Sequence, residues 1–116
     1  MAALALSPAG RSILEATKAR PGGVSTRPLG RTGQQLSIVG LGGWHFGLIE
    51  DEGEAFRIAD AAIDRGLTFF DNAWDYNDGG SEELMGRALS RNGLRKKAFL
   101  MTKNCERDFK GSMLNL

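Results

Sequence analysis

Three short apolar runs, separated by segments of a different periodicity, constrain this chain more than any other feature. They are Ile-Val-Gly-Leu at 38–41, Leu-Thr-Phe-Phe at 67–70 and Ala-Phe-Leu-Met-Thr at 98–102. Between the first two, Ala55, Ile58, Ala59, Ala62 and Ile63 recur at i, i+3, i+4, i+7 and i+8, the apolar stripe of an amphipathic helix. Acids at 50–52 lead into that stripe, where the helix macrodipole favours them, and Gly66 is its expected stop. Before the third run, Ser81 is the expected N-cap of a second helix through Leu89, with Glu82 and Glu83 in its first turn. Strands alternating with helices dictate a parallel sheet with crossover connections. The runs are apolar enough to suit a sheet covered on both faces.

Upstream, residues 26–29 and 35–37 flank Gly30-Arg31-Thr32-Gly33 and read as a β-hairpin. Gly40, Gly42, Gly43 and Gly47 then crowd into eight positions around Trp44, His45 and Phe46. Such a segment is expected to be a loop with unusual backbone angles or a close approach to a ligand. Residues 1–24 are expected to form a flexible extension, and 25–116 the folded domain. Residues 2–9 are small and apolar but lack the preceding positive charge of a secretory signal. Residues 112–116 open a further helix. The order is an N-terminal hairpin followed by strand, helix, strand, helix, strand. Three strands and two helices cannot cover both faces of a sheet, so the pattern reads as the first part of a larger, here incomplete, α/β structure.

Composition removes several function classes. With 41% hydrophobic and 25% charged residues the chain is not of disordered type. No apolar run approaches the roughly 20 residues that a membrane helix needs. Cys105 is the single cysteine; it excludes an internal disulfide framework and fits a reducing, cytoplasmic setting. A net charge of +1 gives no electrostatic basis for a nucleic-acid partner. Acids concentrate at 50–83 and bases from 84 onward, a distribution suited to pairing within the molecule. His45 and Cys105 alone cannot make a zinc site, so no metal is expected. His45 reads as a substrate contact or a polar loop residue, and Cys105 as a plain thiol.

The polar residues at the strand ends carry the chemistry. Gly42-Gly43-Trp44, Asp71 and Lys103 each follow one of the three strands, at the edge where parallel α/β structures bind ligands. Tyr76 lies in the loop leaving the second strand. An ammonium beside a phenol stabilises the phenolate form, and a carboxylate holds that ammonium charged and oriented. A phenol tuned in this way can protonate a carbonyl oxygen while hydride reaches the carbon. Other nicotinamide motifs fit poorly. His45 stands where a G-x-G-x-x-G fingerprint beginning at Gly40 needs glycine, and Gly80 stands where a Tyr-x-x-x-Lys motif would place lysine.

These residues also carry a resemblance. Arg27-Pro28-Leu29-Gly30-Arg31-Thr32-Gly33, Ser37 and Gly40-Leu41-Gly42-Gly43-Trp44 resemble the opening hairpin and first strand of aldo-keto reductases. Phe70-Asp71-Asn72-Ala73-Trp74-Asp75-Tyr76 resembles their Asp-Thr-Ala-x-x-Tyr motif, and Ser81-Glu82-Glu83-Leu84-Met85-Gly86-Arg87-Ala88-Leu89 is similar to the segment after it. Thr102-Lys103 resembles the strand end that bears their lysine. The resemblance implies the N-terminal hairpin and first three strands of a (β/α)8 TIM barrel. It also implies NAD(P)H-dependent reduction of a small-molecule aldehyde or ketone, with NADPH the usual cofactor. By the same resemblance Tyr76 is the proton donor, Lys103 the partner that tunes it, and Asp71 the carboxylate that holds the lysine and lies near the nicotinamide ribose. Gly43 and Trp44 fall where the first βα loop meets cofactor or substrate. Asn72 replaces the family's usual Thr, and Asn77 stands where Gly often follows the tyrosine. Both departures are expected to alter loop shape and substrate preference. The family's catalytic histidine and its adenosine-phosphate site belong to later strands. An alternative reading is therefore a truncated, catalytically inactive fragment or a non-enzymatic binding module.

Overall fold

The computed structural model describes residues 23–114. The expected extension, as far as residue 22, lies outside the described residues. β1 (Thr26–Pro28) and β2 (Gln35–Ser37) pair antiparallel, with Thr26 opposite Ser37 and Pro28 opposite Gln35. Thr32 Oγ1 closes the turn by donating to Leu29 O at 2.6 Å. β3 (Gly40–Gly42), β4 (Phe69–Asp71) and β5 (Phe99–Met101) form a parallel sheet in the order β3-β4-β5.

The first strand begins later than its apolar run suggests. Ile38 and Val39 are 57% and 53% exposed and lie outside the ladder. Ser37 is the physical reason. Its Oγ donates to Val39 O at 2.6 Å and accepts from the backbone N–H groups of Thr68 and Phe69 at 2.9 and 3.1 Å. Its own N–H donates to Thr68 Oγ1 at 3.0 Å. One hydroxyl thus takes the hydrogen bonds that a strand would supply, and 38–39 becomes the corner joining hairpin to sheet.

Two helices cover one face of the sheet. α1 (Gly43–Phe46) is a single helical turn where a glycine loop was expected. α2 (Glu52–Asp64) starts at the Asp51 cap, whose carboxylate accepts from Gly53 N at 2.9 Å; its buried residues are Ala55, Ala59 and Ile63. α3 (Gly80–Ser90) buries Ser81, Leu84, Met85, Ala88 and Leu89. Its N-cap is Gly79, not the expected Ser81. Ser81 sits in the first turn, fully buried, with its hydroxyl directed across the fold. A 3-10 segment (Arg91–Lys97), kinked at Asn92 and Gly93, returns the chain to β5, and α4 (Phe109–Leu114) follows.

Phe70 is fully buried in a cluster with Phe46, Ala55, Ala59, Met85 and Leu89. Complete burial of such a ring contributes about 2–3 kcal/mol. The neighbouring Phe69 and Phe99 point to the opposite face, their rings 6.3 Å apart and half-buried. Among the described residues the sheet is therefore covered on one face only, as three strands and two helices require, and no closed barrel forms. The segregated charges pair as expected: Arg87 reaches Glu52 at 3.3 Å, and Arg91 reaches Asp60 at 3.3 Å while lying 4.3 Å over the Phe56 ring. These pairs are partly exposed and individually weak.

Two outcomes follow from this architecture. In the complete polypeptide, Ser37→Ala orphans two part-buried backbone donors at the hairpin–sheet joint and is expected to lower unfolding stability by about 2 kcal/mol in urea titrations. The isolated 116-residue chain, in which both sheet edges and one apolar face are uncovered among the described residues, is expected to melt without a sharp cooperative transition by circular dichroism.

Candidate active site

The parallel register sets Gly42, Asp71 and Met101 side by side at the strand ends. Beyond that row the β4–β5 pairing continues: Asn72 N donates to Met101 O at 2.8 Å, and Trp74 N to Lys103 O at 3.2 Å. These bonds carry Lys103 alongside the loop that leaves β4. There its Nζ makes an ion pair and hydrogen bond with the Asp71 carboxylate. It also donates to Asn72 O at 2.7 Å and to Tyr76 Oη at 3.4 Å. An ammonium has three protons, and each has an acceptor here. Asp71, Tyr76 and Lys103 are thus brought together, on a rim where the two charged side chains remain 37% and 38% exposed. Partial burial opposes the lysine charge. The hydrogen bonds to Asp71 and Tyr76, with the Asp71 charge, outweigh that effect and hold the Lys103 pKa above its ordinary value.

Trp44, projecting from α1, also reaches this rim. Its ring stands edge-to-face with Tyr76, centroids 5.5 Å apart and planes at 87°. Gly43 is placed differently. It is buried, and its carbonyl accepts from Ser81 Oγ at 2.7 Å. A Cβ at Gly43 would collide with the Asn72 carboxamide and with Ser81 Oγ. His45 is exposed and lines a separate cavity of about 300 Å³ with Leu41, Phe46, Ile49 and Ile58. The exposed Cys105 thiol hydrogen-bonds Asp75, which together with desolvation and the acid's charge raises its pKa. A thiol held protonated is a poor nucleophile.

Sequence reasoning missed the support beneath the rim. Asn72 is 1% exposed and Ser81 fully buried. Asn72 Oδ1 lies 2.9 Å from both Ser81 Oγ and Ala73 N, and its Nδ2 approaches Met85 Sδ at 3.5 Å. The same residue that offers its backbone carbonyl to Lys103 is therefore anchored in the core by its side chain. The available signal was the four-residue spacing of Gly43 and Gly47, which puts both on one side of a helical turn.

A family model described as "Aldo/keto reductase family" matches residues 38–114. The uncharacterized oxidoreductase YrpG of Bacillus subtilis is 44% identical over 80 residues, covering 65% of this chain and 24% of that protein. Among solved structures, the holo form of aldo-keto reductase AKR11C1 from Bacillus halodurans superposes with a TM-score of 0.61 at 33% identity. That match covers 76% of this chain and 28% of the other. A Klebsiella pneumoniae aldo-keto reductase in complex with NADPH gives 0.53 at 31% identity, over 72% and 32%. The chain spans about a quarter of the length of the curated relatives it matches. Sequence and fold agree over the same stretch, and the chain belongs to the aldo/keto reductase family, oxidoreductases whose solved members imply a (β/α)8 barrel.

Proposed function

We propose that residues 25–116 form the N-terminal part of a cytoplasmic, NADPH-dependent reductase of small aldehydes or ketones, with Tyr76 as proton donor. The observation that carries this reading is the Lys103 ammonium, shared between the Asp71 carboxylate, Asn72 O and Tyr76 Oη on one open rim. The cytoplasmic placement rests on the single free thiol of Cys105.

The residues present fit the nicotinamide end of such a cofactor. Asp71 uses Oδ1 toward Lys103, which leaves its second carboxylate oxygen to accept from a ribose hydroxyl. Gly43 and Trp44 flank the same edge. The Klebsiella relative with bound NADPH supports the choice of cofactor. When bound, the cofactor supplies the hydride that reaches the carbonyl carbon.

The chain's own residues handle the proton. As the carbonyl oxygen gains negative charge, Tyr76 Oη gives it the phenolic proton and becomes phenolate. Lys103 then faces the phenolate as a fixed cation and stabilises it without reorganisation. Asp71 and Asn72 O keep that cation charged and aimed, and the Trp44 ring stands against that of Tyr76.

Tyr76→Phe in the complete polypeptide is expected to reduce aldehyde reduction by about 10²–10⁴-fold, while NADPH binding by fluorescence titration is retained. Unchanged turnover would remove Tyr76 from the mechanism. Lys103 supplies a pH test. Its folded pKa is raised, so its contribution to stability is present below the ordinary value of 10.5 and is lost as pH climbs through the folded value. In the complete polypeptide, the difference in Tm between the unaltered protein and Lys103→Met is expected to be flat from about pH 7 to 9 and to shrink above about pH 10.5. A difference that grows in alkali contradicts this assignment.

A further inference from the structure

We infer that Asn77 is a positioning residue that pins Trp44 against Tyr76, making the first and second βα loops one rigid wall beside the proton donor. The catalytic part of this inference rests on Tyr76 being that donor.

Asn77 has φ = +53°, and Asp78 and Gly79 follow at +54° and +87°. Three successive left-handed residues turn the chain sharply between Tyr76 and α3. A side chain with a Cβ is disfavoured there by about 1–2 kcal/mol, least so for Asn and Asp. Glycine would meet the backbone requirement at 77 with no such cost. The carboxamide is what Asn adds. Its Nδ2 donates to Trp44 O at 3.0 Å, joining residues 33 apart in the chain.

The rest of α1 is shaped for this contact. Gly43 offers its carbonyl to Ser81 Oγ at 2.7 Å. A Cβ at Gly47 would come within 2.6 Å of Ser81 Cβ and would strike the Asn77 carboxamide. Gly43 and Gly47 are one turn apart, so the bare side of α1 lies directly on Asn72, Asn77 and Ser81. The backbone at 43 and 44 is thus gripped twice, once by Ser81 and once by Asn77. Only the second grip falls on Trp44 itself, at its main-chain carbonyl, and it holds the backbone from which the indole meets Tyr76 edge-to-face. Such a pair is worth only about 0.5–1.5 kcal/mol by itself, too little to hold a 49% exposed indole still on an open rim. The Asn77 strut adds to it by fixing the Trp44 backbone that carries the ring.

A fixed indole against the Tyr76 ring restricts how a carbonyl compound approaches the phenol. The wall therefore acts on substrate capture and leaves the proton transfer itself to Tyr76 and Lys103.

The test uses the natural polypeptide that carries these residues, labelled with 5-fluorotryptophan and observed by fluorine NMR. The Trp44 resonance is assigned by its loss in Trp44→Phe, and the ring-current contribution of Tyr76 by Tyr76→Leu. Asn77→Gly keeps the left-handed backbone and removes the strut. Asn77→Asp keeps the shape and turns the donor into an acceptor facing a carbonyl. In both, the Trp44 resonance is expected to move toward its Tyr76→Leu position and broaden, while Trp74 stays in place as the control for folding. With an aromatic aldehyde as probe, KM is expected to rise about three- to tenfold, with kcat changed less than about twofold. A Trp44 resonance unmoved in Asn77→Gly overturns the inference, because Ser81 and the glycine packing then suffice. Movement of Trp74 in both variants also overturns it, since Asn77 would then be needed for folding. A moved Trp44 with unchanged KM overturns the wall. Retained turnover in Tyr76→Phe, together with a moved Trp44, defeats the proton-donor reading and leaves the strut standing.

Discussion

Everything at this rim depends on one constraint, the in-register parallel pairing that sets Gly42, Asp71 and Met101 in a single row. Parallel strands leave a sheet in the same direction, so whatever follows each strand is delivered to the same edge. Trp44 is two residues past β3, Tyr76 five past the end of β4, and Lys103 two past β5. A slip of one residue in β5 would move Lys103 about 3.3 Å and turn it to the other face. The hydrogen bonds from Asn72 N to Met101 O and from Trp74 N to Lys103 O hold that register beyond the strands themselves. The ammonium is therefore placed by backbone geometry before any of its side-chain contacts form.

Beneath the rim, polar atoms are buried where the surrounding packing is apolar. Asn72 and Ser81 are buried, Asn72 against Met85, and burying such groups is tolerable only when they are hydrogen-bonded. The single Ser81 hydroxyl proton is shared between the Gly43 carbonyl and Asn72 Oδ1, which also accepts from Ala73 N, so the cluster ties together α1, the end of β4 and α3. A buried polar link of this kind specifies which surfaces may meet, whereas apolar contacts alone would tolerate sliding. Ser37 does equivalent work at the opposite end of the sheet, tying the hairpin to the start of β4. Each end of this small sheet is thus fixed by a serine hydroxyl bonded to backbone.

The charge pattern has a similar local meaning. Acids of α2 and bases of α3 and the following 3-10 turn lie on adjacent surfaces, and Arg87 and Arg91 bridge them. Segregation along the chain thus becomes pairing across the helices, with Arg91 also stacking on Phe56. The ion pair with a different character is Lys103–Asp71. It sits at the strand ends instead of on a helix surface, and its lysine also faces the Tyr76 phenol.

The order of elements, the amphipathic stripe of α2 and the delivery of Asp71, Tyr76 and Lys103 to one rim were all legible from residue types and spacing. Periodicity and strand-end position are properties of the chain itself. The true start of β3, the role of Ser81 and the helical turn at Gly43–Phe46 were not legible. Each depends on a hydrogen bond or close approach between residues some 30 or more apart: Ser37 with Thr68, Gly43 with Ser81, Asn77 with Trp44. A serine before an acid pair looks like an N-cap in one dimension, and only the neighbour that packs against it decides where its proton goes. By itself the sequence determined which chemical groups reach the rim. The tertiary structure alone decided how they are held, because the holding atoms are buried polar groups whose partners come from distant segments.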